Sequence, residues 1–398
     1  MNELPETPDD TKNPQPAPTT PPSDKTQHKD KDDRVKIALD AMGGDNAPAA
    51  IVEGACQAAD SIDGLEIILV GDENAILSEF EKHPGAKDKL TIKHAQDAIS
   101  MDESPSVALR KRRKSSIHIG LKMVDEGEAD TFISAGNTGA VMAVATVMLR
   151  NIEGIDRAAI AVPLPTQKGN AVLLDAGANI VCKAIHLYQF GIMGSMYAQY
   201  ILDTQKPRIG LLSIGEEDSK GNAVTKEALE MLTQSSVNFI GNIEGKLLYK
   251  GAADVIVCDG YTGNIALKIS ESLAEMIGVE LKGIFSRNLR GKLSYMLLRP
   301  SMEKFKKKLD HSEVGGAPLL GIDGAVFISH GSSTPKSIRS AILGAKKFIV
   351  ENVNDHIRES LAQNQDIVSS SKKDMRDGIW SQMKRKIGLG HPDRPEEA

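Results

Sequence analysis

A chain of 398 residues with 40% hydrophobic content can bury a large core, in one big domain or two smaller ones. Its net charge of −6 and its aromatic content of 4% argue against general nucleic-acid binding, which uses a basic field and often stacking aromatics. No run of eighteen apolar residues occurs, so no segment reads as a membrane span.

Residues 1–33 are Pro, Thr, Asp and Lys with almost no large apolar side chains, which predicts a disordered tail. They contain no apolar core segment, so they do not read as a secretory signal, and the sparse cysteines make the cytoplasm the expected location. The body is placed over 34–350. Residues 351–398 read as a helical and then disordered extension, with a short helix around Trp380. Cys56, Cys182 and Cys258 are too few and too scattered for a disulfide framework or a zinc site, and Cys258 reads as a small buried hydrophobe.

From Val35 onward, short β-branched runs alternate with helical stretches, the pattern of an α/β fold with a mostly parallel sheet and helices on both faces. IALDAMGGDNAP opens it as a strand over Ile37 to Leu39, a glycine loop and a helix starting near Pro48. LEIILVGD and KLTIKHAQ follow as strands, then a helix opened by Pro105 and another over Ser116 to Glu126. The basic cluster Arg110 to Lys114 reads as a solvated helix face. TFISAGNTGA is strand, glycine loop and helix, with Asn137 and Thr138 as helix caps. AVLLDAGAN repeats the device through Asp175, Gly177 and Asn179. RIGLLSIGEEDSKGN, DVIVCDGYTGNIALK and AVFISHGSSTP repeat it three times more.

Six strand ends thus carry glycine with Asp, Asn, Thr or Ser. A parallel sheet places all six on one edge, where ligands collect. That edge offers amides, hydroxyls, backbone N–H groups, the cations Lys268 and Lys183, and His330. The HExxH, paired CxxC, P-loop and GxSxG patterns are all absent, so no metal and no cofactor are expected. The remaining inventory suits an oxyanion, either phosphate oxygens or an acyl carbonyl under attack. Lys268 lies one turn into the helix after YTGN, where it either neutralises a phosphate or snorkels on the surface. His330 beside Ser332 either relays a proton or caps local backbone.

Taken in order, IALDAMGGDNAP, MDESPSVALRKRRKSSI, SAGNTGA, LLDAGAN, GNIEG, CDGYTGNIALK, EVGGAPLLGIDG and ISHGSS resemble the phosphate acyltransferase (PlsX) family, from about Val35 to Ile349. The resemblance implies an enzyme that moves a fatty acyl group from acyl carrier protein to inorganic phosphate, as a homodimer with a fold like that of phosphotransacetylases and isocitrate and isopropylmalate dehydrogenases. The acyl phosphate would pass to a membrane glycerol-3-phosphate acyltransferase for phospholipid synthesis. An acyl-CoA-dependent or acetyl-CoA-dependent relative and a non-catalytic membrane scaffold are the alternatives. Motif match and loop position assign Asn137, Thr138, Gly139, Thr262, Gly263, Asn264 and Lys268 to phosphate. Asp45, Asn46, Asp175 and Asn179 complete and orient the site, and His330 and Ser332 face the thioester. Lys183 follows DAGAN without being a fixed feature of the family.

Residues 281–310, LKGIFSRNLRGKLSYMLLRPSMEKFKKKLD, do not fit the sheet. They read as an amphipathic, basic helical hairpin that either lies on a membrane surface or packs on protein. In the family such a hairpin is associated with peripheral contact at the inner face of the cell membrane. That makes Leu293, Met296, Leu297 and Leu298 candidates for contact with lipid or with the acidic carrier protein.

Overall fold

The computed structural model describes residues 34–364 apart from 84, 86–89 and 310–315, and of 307–309 the backbone alone. The expected disordered tail over 1–33, the helix around Trp380 and Glu313 to Gly315 of EVGGAPL lie outside the described residues.

Eleven strands form one sheet: β1 Val35–Asp40, β2 Leu65–Gly71, β3 Leu90–His94, β4 Thr131–Ser134, β5 Ala159–Thr166, β6 Gly169–Leu174, β7 Ile209–Ser213, β8 Phe239–Glu244, β9 Val255–Val257, β10 Ala317–Leu320 and β11 Ala325–Ile328. Their spatial order is β3-β2-β1-β4-β11-β10-β5-β6-β9-β7-β8. The helices are α1 Ala49–Ser61, α2 Glu73–Phe80, α3 Pro105–Lys111, α4 Ser116–Asp125, α5 Thr138–Met148, α6 Ala184–Tyr200, α7 Ala223–Gln234, α8 Gly260–Ser286, α9 Leu289–Leu309, α10 Pro335–Val350 and α11 Val353–Ala362. Pro48 caps α1 rather than entering its first turn.

Alternation along the strands divides the core into two layers. Ile37 and Leu39 of β1 and Val172 and Leu174 of β6 pack with apolar residues of α1, α6, α10 and α11. Ala38, Ala171 and Leu173 point the other way, to α3, α4 and α5. Helices therefore cover both faces, and most strand pairs are parallel.

The expectation that six strand ends share one edge is corrected by the centre of the sheet. β10 runs antiparallel to β11, β5 antiparallel to β10, and β6 antiparallel to β5. Three reversals leave β6, β7 and β9 pointing opposite to β1, β4 and β11, so each edge receives three of the six loops. β5 and β10 escape a sequence reading because each contains proline, which normally argues against a central strand. β10 pairs only with Ala159 and Ile160 of β5, so Pro163 and Pro165 lie beyond that pairing, where no N–H is required on that side.

The basic segment forms a helical hairpin whose first arm is continuous with the helix after YTGN, so it starts well before 281. Along α8 only Gly260 and Gly263 are buried. Tyr261, Ile265, Ile269, Leu273 and Met276 form an exposed stripe at helical spacing. On α9, Leu289, Leu293, Met296 and Leu297 are more than half exposed. Among the described residues no helix is long and apolar enough to cross a membrane.

α8 is anchored at its first turn, where the Asp259 carboxylate accepts from the backbone N–H and the hydroxyl of Thr262. Gly263 presses on the backbone after β6: a Cβ there would sit 1.9 Å from the Asp175 carbonyl oxygen. A Cβ on Gly278 of the same helix would meet nothing within 4 Å. Gly263→Ala should therefore cost about 2–3 kcal/mol through overpacking, whereas Gly278→Ala should be neutral or gain up to ~1 kcal/mol. Urea unfolding midpoints compare the two, and equal shifts would contradict the close approach.

Candidate active site

A cleft of about 2020 Å³ opens on the α5 face of the sheet. Ile160 and Val162 of β5 and Leu319 of β10 form its floor, and α5, α8 and α9 supply its walls. Because β5 and β10 sit where the strand direction reverses, loops from both edges reach it. Thr138 and Gly139 come from the first turn of α5, which follows β4, and Ser329 to Thr334, apart from Gly331, from the loop after β11. From the opposite edge come Ala176 to Ile180 after β6, and Asn264 and Lys268 after β9.

The loop after β6 is built around Asp175, which is fully buried. Its carboxylate accepts from the backbone N–H groups of Ile160 at 3.0 Å, Gly177 at 3.2 Å, Ala178 at 3.0 Å and Asn179 at 2.7 Å. The Asn179 amide donates to the same carboxylate at 3.0 Å and to the Ala158 carbonyl at 2.7 Å. Burial holds the Asp175 carboxyl above the usual carboxylate range, and these donors offset only part of that rise. Asp175 thus faces protein on all sides, while Asn179 also lines the cleft.

The opening glycine loop is built the same way. Asp40, at the end of β1, is buried, accepts the Ser134 hydroxyl at 2.7 Å and the Met42 N–H at 3.1 Å, and is pushed up by burial. Gly43 packs so closely that a Cβ would lie 2.5 Å from its carboxylate. Asp45 and Asn46 are exposed and outside the cleft lining. The Asp45 N–H donates to the Gly331 carbonyl at 2.8 Å and the Asn46 amide to the Ser333 carbonyl at 3.4 Å, so both hold the loop that carries His330.

Asn137 caps α5 by accepting from the Ala140 N–H, and its amide donates to the carbonyls of Ser100, Met101 and Glu103. That fills its hydrogen-bonding capacity and leaves Thr138 and Gly139, at the start of α5, to face the cleft. The N–H groups of a first helical turn have no partner within the helix and favour anions. Thr262 and Gly263 are spent on the anchoring of α8, whereas Asn264 lies against Gly177 inside the cleft. Lys183 caps α6 outside the cleft lining.

His330 Nδ1 lies 2.7 Å from Ser332 Oγ and accepts the Ser332 backbone N–H at 3.2 Å. An accepting Nδ1 leaves the proton of the neutral ring on Nε2, free to be donated to a ligand oxygen or sulfur. Lys268 Nζ pairs with Glu271 at 2.8 Å on an exposed stretch of α8. Arg157, immediately before β5, also lines the cleft and makes no ion pair or hydrogen bond with any described residue. Its one sequence signal is a lone arginine ahead of the apolar run AIAVPLP, whose two prolines mask a strand. With Lys282, Lys292, Lys306 and Lys336, six basic side chains line the cleft against Asp156, Glu271 and Glu275. Its field therefore favours anions.

Burial disfavours the thiolate form of each cysteine. Burial pushes Cys56 up to about 11 and Cys182 up to about 12, and holds Cys258 well above its ordinary value. Among the described residues, no group of three or more His, Cys, Asp or Glu is placed to hold a metal ion.

Residues 35–356 match the family model described as fatty acid synthesis protein. A phosphate acyltransferase from Trichlorobacter lovleyi is 46% identical over 83% of this chain and 95% of its own length. Another from Geobacter sulfurreducens is 45% identical over 82% and 94%. Among solved structures, a phosphotransacetylase from Streptococcus pyogenes aligns with a TM-score of 0.55 at 19% identity, over 80% of this chain and 94% of that one. The EutD phosphotransacetylase from Staphylococcus aureus aligns at 0.53 and 16%, with the same coverage. Both likenesses concern the fold. The chain belongs to the fatty acid synthesis protein family, among relatives named phosphate acyltransferase, and is an acyltransferase.

Proposed function

We propose that this enzyme transfers a fatty acyl group from the thioester of acyl carrier protein to inorganic phosphate. The observation that carries the reading is one cleft, lined from both sheet edges, that joins anion-binding groups to an apolar floor. A phosphate oxygen attacks the thioester carbonyl carbon, the carbon–sulfur bond breaks, and the thiolate leaves and takes up a proton. Phosphate is itself the nucleophile, which fits a cleft with no cysteine among its described lining residues, where positioning and charge stabilisation are the main tasks.

Arg157, Asn264 and Lys268, with the first-turn N–H groups of Thr138 and Gly139, hold the phosphate. His330 donates from Nε2 to the carbonyl oxygen or the departing sulfur. Ser332 orients the imidazole. Asn264→Ala, Lys268→Ala and Arg157→Ala should each lower acyl phosphate formation by roughly tenfold or more, as lost oxyanion donors do. The assay uses acyl carrier thioester and phosphate. Wild-type rates in all three variants would remove the assignment.

The exposed apolar side chains of α9, set among Arg290, Lys292, Arg299 and Lys304, support peripheral contact with anionic lipid, where the acyl phosphate would be consumed by a membrane acyltransferase. The stripe on α8 fits a second copy of the chain. Changing Leu293, Met296 and Leu297 together to Ser should abolish co-flotation with anionic vesicles while leaving the sedimentation of the wild-type dimer intact. Undiminished flotation would contradict membrane contact through α9.

A further inference from the structure

α5 is apolar on more sides than its packing requires. Ala140, Val141, Val144 and Ala145 are buried against the sheet, yet Met142, Ala143 and Val147 on the other side are apolar as well and line the cleft. A helix on the surface of a domain normally turns polar groups outward. Across the cleft α8 presents Leu267, Ala274, Leu281 and Phe285 alongside the charged Lys268, Glu271, Glu275 and Lys282, and between the two helices lies the floor of Ile160 and Val162. At about 2020 Å³ the space exceeds the roughly 300–1,000 Å³ of ordinary small-molecule pockets. Phosphate and a thioester carbonyl would leave its apolar part in water.

We propose that the acyl chain of the substrate runs along this floor between α5 and α8, and that the small side chains of Ala143 and Ala274, one on each wall, set the longest chain that fits. The inference rests on the acyltransferase reading above and adds the place and the limit of the chain. Apolar burial gives each methylene a gain of roughly fourfold in binding. The advantage of longer thioesters should therefore grow until the walls stop it.

The test measures kcat/KM on acyl carrier thioesters from butanoyl to octadecanoyl for the wild type, Ala143→Phe and Ala274→Phe. Both variants should lower the ratio of long-chain to short-chain kcat/KM by about tenfold or more and move the optimum to shorter chains. Two opposed walls are probed so that the loss of one fold does not decide the result. An unchanged ratio in a folded variant would overturn the proposal. If the wild type forms no acyl phosphate from any thioester, the acyltransferase reading fails separately. Displacement of a fluorescent fatty acid would still test the chain site, with weakened binding in the variants supporting it and equal binding overturning it.

Discussion

The Asp175 carboxylate is the constraint on which the site depends. Four backbone N–H groups and one side-chain amide converge on it, tying the start of β5 to the whole loop after β6. Burying a carboxylate is costly, and only such a set of donors offsets the loss of water. The loop then becomes a surface for α8. Gly260 and Gly263 lie where a Cβ would strike the Asp175 carboxylate and the Asp175 carbonyl, so the helix docks backbone to backbone. That contact sets Asn264 against Gly177 and fixes where the long hairpin leaves the body. In the other half, Asp40 plays a similar part for the first glycine loop. It binds Ser134 across to β4 and leaves room only for glycine at Gly43.

These two buried acids belong to halves of the sheet that run in opposite directions. The antiparallel strands between them bring loops from opposite edges onto one face, so the cleft is bounded by helix starts on one side and by Arg157, Asn264 and Lys268 on the other. A uniformly parallel sheet would have gathered its loops along a single edge. The reversal instead exposes a stretch of sheet face between the two polar groups, and that stretch supplies the apolar floor.

The local devices were legible in the sequence because they depend on neighbouring residues. Asn137 caps the helix it precedes, Pro105 opens α3, and each glycine loop follows an apolar run. Long-range facts were not legible. Pro163, Pro165 and Pro318 hid the two strands that reverse the sheet, because a proline's tolerance depends on which neighbours pair with it. Asp45 and Asn46 stand out by composition, but their contacts with the Gly331 and Ser333 carbonyls, nearly three hundred residues away, could not be read from the sequence. Arg157 carried no motif at all. Its relevance comes from standing at the start of β5, beside a loop that is distant in sequence.

Loops from both halves of the sheet are proposed to form one anion site. Hydrogen exchange with and without saturating inorganic phosphate tests it directly. Joint protection of the amides of 138–140, 176–180 and 329–334 is expected, weakened together in Arg157→Ala. Protection confined to one half of the sheet, or none in any of the three loops, would contradict it.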